Sequence, residues 1–246
     1  MKAVCSAYRF TCKASSMQTI SLFHLLYLLP PLVLVAFFYA RWVGEKTEIA
    51  VATLRMSVQL ILIGYVLTSL FSTNSLWLLA LLIAVMIAVA SLIARRNIRV
   101  QTFQSYLVIL GSITVGGTLS LALVLWGVLE LENSLDPRYV IPLAGMIYAN
   151  AMNAISLCAE RYDKEREHHS MEKARAIAFK ASMIPQINAF LAVGFVSLPG
   201  MMTGQILSGV DPLIAVRYQI VVMAMILSSG AISTILYLLY QTRTPR

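Results

Sequence analysis

SLWLLALLIAVMIAVASLIA, residues 75–94, carries no charged side chain along its whole length. At about 1.5 Å of rise per residue, a helix of this length just crosses a hydrocarbon layer of about 30 Å. Apolar runs of similar kind follow one another from about Ile20 to Tyr240, with short polar joints and one longer charged interruption between them. So many runs cannot all be interior helices of a water-soluble domain, because no surface would remain to face water. The sequence therefore reads as all-α, a polytopic integral membrane protein of about seven transmembrane helices. Composition agrees, with 59% hydrophobic residues, a mean hydropathy of +0.78 and 12% charged residues, where soluble domains carry about 25% charge. In a chain of 246 residues these spans leave no room for a separate soluble domain.

The expected helices run over about Thr19–Tyr39, Thr53–Leu70, Leu76–Ala94, Phe103–Leu129, Tyr139–Cys158, Pro185–Leu207 and Ile214–Tyr240. Pro30 and Pro31 fall in the middle of the first and are expected to bend it. The sixth is expected to break near Pro199 and Gly200. The net charge of +8 sits at the ends of apolar runs, so it reports topology and contact with anionic lipid and implies no nucleic acid. Arg95, Arg96 and Arg99 mark a cytoplasmic joint. The joints at 72–75 and around Glu130, Glu132 and Asp136, with only Arg138 as a base, read as external. Alternation places Arg41, Lys46 and Arg55 inside, the N-terminus outside, and the tail with Arg243 and Arg246 in the cytoplasm. Residues 1–16 fit this scheme poorly, since Lys2, Arg9 and Lys13 fall on the wrong side. They read as a targeting leader or as a misread start upstream of Met17, with the second favoured, which leaves 17–246 as one transmembrane domain.

Cys5, Cys12 and Cys158 show neither disulfide nor metal-ligand spacing. His24 stands alone in an apolar run, and the adjacent His168 and His169 would point about 100° apart on a helix, which does not suit chelation. No acidic residue lies mid-span: they cluster at 45–48, 130–136 and 160–172, with Asp211 in a short joint. A proton-driven carrier with an Asp, Glu or His relay in the bilayer is therefore disfavoured. No GxxxxGK[ST] phosphate loop is present, so any ATP used must be hydrolysed on another chain. No cofactor is expected in this chain, and no catalytic residue is assigned.

Polar groups at helical spacing are the candidates for function. Arg55 and Gln59, four residues apart, share one face at the inner end of the second helix. Gly145, Ala149 and Asn153 form a line on the fifth helix with Asn150 beside it, and Ser112, Gly116 and Ser120 form one on the fourth. Such lines serve close helix packing, and on the fifth helix they could equally line a substrate path. Pro199, Gly200, Gly204 and Gly209 do not specify an unbroken helix, and broken membrane helices often build substrate sites. Met201 and Met202, with Met146 and Met152, could offer thioethers to a soft metal or simply fill the core. The charged interruption, ERYDKEREHHSMEKARAIAFK at 160–180, holds six basic and five acidic residues. Its MEKARAIAFK part is a good helix former, with Ala174, Ile177, Ala178 and Ala181 along one face. A cytoplasmic loop over 160–182 containing this helix could dock a soluble motor or lie at the lipid headgroups.

Three segments together resemble a known family: ATLRMSVQLILIGYVL at 52–67, VIPLAGMIYANAMNAISL at 140–157, and VGFVSLPGMMTGQILSGVDPLIAVRYQIVVMAMILSS at 193–229. They look like the FetB-type permeases of ABC transporters, linked to iron export in bacteria and to aluminium tolerance in plants. The resemblance implies a permease subunit in the plasma membrane (the bacterial inner membrane), two copies of it assembling with two separate ATP-binding subunits, and export of metal, iron above all. On this reading the path comprises Gly145, Asn150, Asn153, Pro199, Gly200, Met201 and Met202, while Glu172, Lys173, Arg175 and Lys180 couple to the motor. The family carries a longer cytoplasmic loop with a LGAT-like stretch before the sixth helix. Here the chain passes from Arg175 to Ile184-Pro185 without it. An ATP-independent carrier or channel, and a membrane scaffold that transports nothing, are the rival readings.

Overall fold

The computed structural model describes residues 21–73, 75–96, 98–99, 101–129 and 135–243. The leader with Cys5 and Cys12, the start at Met17, and Glu130, Glu132 and Arg246 lie outside the described residues. The chain is helical: α1 (Leu22–Leu25), α2 (Leu29–Val43), α3 (Glu48–Thr73), α4 (Leu76–Arg95), α5 (Phe103–Ala122), α6 (Pro137–Glu165), α7 (Met171–Ala192), α8 (Gly200–Leu207) and α9 (Pro212–Arg243). A 3-10 turn joins α1 to α2, and α5 continues as a π-helical turn over Leu123–Val128. Among the described residues there is no strand, only an isolated bridge between Val193 and Ser197. Among the described residues six helical segments are long and apolar enough to cross a membrane: Phe23–Val43, Glu48–Phe71, Leu76–Arg95, Phe103–Val128, Pro137–Glu165 and Pro212–Gln241.

Two compact units divide the chain, one of residues 1–72 with 207–209 and one of 73–206 with 210–246. In the first, Pro30 and Pro31 stand in the first turn of α2 rather than in mid-helix. That turn has no intrahelical use for their missing N–H groups, so the expected bend becomes the junction between the 3-10 turn and α2. Gly44, at φ 89°, ends α2 in the left-handed conformation that a side chain disfavours. Across the short turn that follows, the Tyr39 hydroxyl donates to the Glu48 carboxylate. None of the residues in the apolar windows of these two spans is buried.

The second unit is a packed bundle of α4, α5, α6, α7 and α9. Ile109 and Ile113 of α5, Ile147, Tyr148 and Ile155 of α6, and Tyr237 of α9 are fully enclosed. Lipid tails are as apolar as leucine, so close backbone approach rather than water exclusion holds such helices together. Gly116 shows how: a Cβ there would lie 2.3 Å from Ser233 Oγ and 2.8 Å from the Ser233 backbone nitrogen. Ser112 and Ser120, one turn either side, are buried too. The small-residue line on α5 is thus its seam with α9.

Three chain segments meet at one end of this bundle. The Arg99 guanidinium pairs with Glu167, and the Arg99 backbone N–H donates to Asp163 Oδ2 at 3.2 Å. Gln104 Nε2 donates to the Tyr240 hydroxyl at 2.8 Å. The joint before α5, the turn after α6 and the end of α9 therefore share one side, as charge counting requires.

The largest correction concerns the segment expected as a loop over 160–182 and a sixth helix over Pro185–Leu207. α6 runs on to Glu165, and α7 extends unbroken from Met171 through Pro185 to Ala192. The chain loops only between them. Ala174 and Ala178 are buried, so the apolar stripe of MEKARAIAFK finds its partner in α6 and continues the helix inward. Ion pairs one turn apart, Arg161–Glu165 and Lys164–Glu160, both at 2.7 Å, extend α6 beyond its apolar part. The break begins at Val193, earlier than expected. Gly194 turns at φ 90°, and the Ala192 carbonyl accepts from the backbone of Val196 at 2.8 Å before α8 restarts at Gly200.

The seam at Gly116 yields a stability prediction. Gly116→Ala should cost about 1–3 kcal/mol through overpacking, lowering the thermal midpoint of the purified protein by several degrees. Gly111→Ala on the same helix meets open space and should leave the midpoint unchanged. Equal midpoints for the two variants would refute the packing assignment.

Candidate functional site

Between α6, α7 and α9 lies a cavity of about 120 Å³, lined among others by Asn150, Asn153, Ser182, Pro185, Gln186, Phe190 and Met223. A second cavity of about 330 Å³ continues from it between α7, α8 and α9. Phe190 and Met223 line both, and Val193, Leu198, Pro199, Met202, Val216 and Gln219 complete the second. The first has four polar side chains, Asn150, Asn153, Ser182 and Gln186, in an otherwise apolar wall, where the second has only Gln219.

Each polar wall residue is set by its helix. Asn150 Nδ2 donates to the Met146 carbonyl one turn back, at 2.8 Å, leaving its carbonyl oxygen to accept. Asn153, one turn on, is exposed. Ser182 Oγ donates to the Phe179 carbonyl at 2.8 Å and stands against Cys158, the buried thiol of α6. Gln186 is 7% exposed, and its Oε1 has no hydrogen-bond partner; Gln219 on α9 is 5% exposed with its Oε1 in the same state. Gln186 fits because α9 carries Gly230 opposite it, where a Cβ would lie 2.3 Å from its Nε2. An unpaired buried amide oxygen costs about 1–3 kcal/mol, so two of them along one cleft point to groups that meet a ligand or water.

The expected path residues divide. Asn150 and Asn153 line the polar cavity, and Pro199 and Met202 line the apolar one. Gly145 does not join them: a Cβ there would lie 3.5 Å from Met86 of α4, so it serves helix packing. Gly200 has open space around its Cα, and Met201 is half-buried in α8 outside both linings. Met146 and Met152 line neither cavity, whereas Met202 lines the apolar one. Among the described residues no group of three or more His, Cys, Asp or Glu could hold a metal ion. Ser182, Gln186, Phe190, Gln219 and Met223 went unnoticed in the sequence. The signal for the two glutamines was present, an amide inside an apolar run.

Arg55 and Gln59 belong to the first unit. Both are exposed on α3, about 10 and 16 Å along the helix from Glu48. Glu172, Lys173 and Lys180 are exposed on the first half of α7, and Arg175 is half-buried there.

The chain matches the profile described as "Uncharacterised protein family (UPF0014)" over residues 22–172 and 165–244. The two segments overlap at 165–172, across the turn between α6 and α7, a little before the stretch from Arg175 to Ile184 where the sequence reading finds the chain shortened. It is 38% identical to the Escherichia coli protein named "Probable iron export permease protein FetB", over 76% of this chain and 78% of that one. A UPF0014 membrane protein of Synechocystis is 36% identical over 79% and 78% of the two chains. The Arabidopsis thaliana protein named "ALUMINUM SENSITIVE 3" is 32% identical over 83% and 79%. No solved structure matches the chain.

The cavity predicts a pattern of access. With the native cysteines replaced by Ser, Asn150→Cys and Asn153→Cys should react with a small water-soluble thiol reagent, while Ile147→Cys, on the enclosed face of α6, should not. Equal protection at all three positions would mean that no polar space opens there.

Proposed function

This chain belongs to the UPF0014 family of membrane proteins, and on that premise we propose that it is the permease subunit of an ABC transporter that exports a metal ion, iron in the first instance. The E. coli relative is named for iron export, and that name supplies the cargo. ATP hydrolysis falls to a separate ATP-binding subunit, and two copies of this chain pair with two of those. The protein sits in the plasma membrane with its C-terminus in the cytoplasm, so the end that carries the Arg99–Glu167 and Gln104–Tyr240 pairs faces the motor. The excess of Lys and Arg at that end supports this orientation.

One observation carries the reading. α7 presents exposed Glu172, Lys173 and Lys180 at its first half, and Ser182, Gln186 and Phe190 to the cavities at its second. Arg175 and Gln186 are eleven residues apart on one continuous helix, about 16 Å. A motor that pushes the first half displaces the cavity wall directly, because a packed helix transmits strain as a rod. Such rigid-body rocking is how alternating access is achieved around a fixed site. The path then runs along Asn150 and Asn153, past Phe190 and Met223, to Pro199 and Met202.

Coexpression with an ATP-binding subunit from the same genome, followed by affinity purification, tests the assembly. The native chain should carry the ATPase with it and stimulate ATP hydrolysis. Arg175→Glu with Lys180→Glu should reduce that stimulation about tenfold, equivalent to about 1.4 kcal/mol. Cells lacking the chain should accumulate iron. Full stimulation by the double variant would remove α7 as the coupling element, and substrate flux through the chain alone, without nucleotide, would favour an ATP-independent carrier.

A further inference from the structure

The larger cavity exists because the chain leaves helix between Ala192 and Gly200, turning at Gly194 with φ 90°. The gap lies against one stripe of α9: Val216, Gln219, Ile220 and Met223, three and four residues apart, all line it. Ile220 is exposed, whereas Gln219 is only 5% exposed. The cavity therefore runs inward from the surface of the unit to a buried amide. That stretch of α9 belongs to a segment apolar enough to cross a membrane, so the mouth opens on lipid.

Three ordinary occupants fit this space badly. The lining holds no charged side chain, so an ion or a charged headgroup would lose its hydration with nothing in return. An ordered water needs about two to four polar partners, and the wall offers a single polar side chain. A lipid tail fills the volume but brings no donor to Gln219 Oε1, which is buried without a hydrogen bond. What remains is an uncharged molecule with an apolar body and one O–H or N–H. A cavity of about 330 Å³ lies within the range of small-molecule sites, about 300–1,000 Å³, which are apolar with a few polar groups that fix orientation.

We infer that the cavity between α7, α8 and α9 binds an uncharged, largely apolar organic molecule, such as a lipophilic alcohol, which enters from the membrane and donates one hydrogen bond to Gln219 Oε1. Met202 and Met223 line the apolar wall, and thioether side chains adapt to the shape of what they meet. The site therefore selects by size and by the donor more than by outline. This goes beyond the metal-permease reading. Pro199 and Met202 lie on the path proposed there, so a neutral occupant stands in that path.

The test uses the full chain purified in lipid nanodiscs, photolabelled with octan-1-ol carrying a diazirine and mapped by mass spectrometry. The competitors are octan-1-ol and its isomer 1-methoxyheptane, which has the same atoms but no donor, compared at equal concentration in the lipid. Label should concentrate on Phe190–Met202 and Val216–Ala224, and octanol should protect these at least tenfold better than the ether. In Gln219→Met the two competitors should protect alike. Three results would overturn the inference. Labelling no higher than at exposed Leu119 of α5 means that lipid tails alone fill the space. Equal protection in the native chain means that no donor is recognised. An octanol preference that survives in Gln219→Met means that the donor meets another group. The native comparison needs no variant, so it decides the matter even if Gln219→Met fails to fold. No ATPase, nucleotide or metal enters the measurement, so its outcome is independent of the metal-permease reading.

Discussion

Hydrocarbon offers a polar group no partner, and that constraint organises this molecule. Backbone groups meet it by forming helices, which is why the described residues contain no strand. Side chains meet it locally: Thr53, Ser57, Thr68, Ser91 and Thr114 all donate to a carbonyl one turn back. Tyr148, Ser233 and Thr234 keep a buried oxygen without a hydrogen bond as well, so the cases that point to a site are the ones beside the two cavities. Gln186 and Gln219 are those cases, and each lines a cavity.

The same constraint explains the double character of α7. Its first half is too charged to be read as a span, and α7 is absent from the segments apolar enough to cross a membrane. It is helical all the same because Ala174 and Ala178 bury one face and Glu172, Lys173 and Lys180 leave the other exposed. The second half enters the bundle past Pro185, which itself lines the cavity with Ser182 and Gln186. A helix that begins in a charged region and ends among cavity walls is suited to couple the two.

The spans were legible in the sequence because an apolar run of sufficient length has few other fates. That the joint before α5 and the turn after α6 share one end was legible from their basic residues, and there Arg99 pairs with Glu167. The sixth helix was not legible. Proline commonly opens a helix, so Pro185 read as a start when it lies inside one. The charge of 160–180 read as a loop because its apolar alanines are small and its partner face on α6 is visible only in three dimensions. For the site, Asn150 and Asn153 stood out as amides in an apolar run. Gly145 was drawn in by spacing alone, yet it faces Met86. Gln186 and Gln219 carried the same signal as the asparagines but not at a spacing that tied them together, since they come from different helices.

Coupling between the two ends requires α7 to be one rod from its charged start to the cavity wall. Hydrogen exchange across 171–192 in the purified, lipid-embedded chain tests it most directly. A continuous helix predicts slow exchange from Ala176 to Met183, on a par with the neighbouring stretch of α6, because those amides open only with the packed unit. Exchange there at the rate of an unstructured chain, with protection beginning only after Pro185, would contradict it.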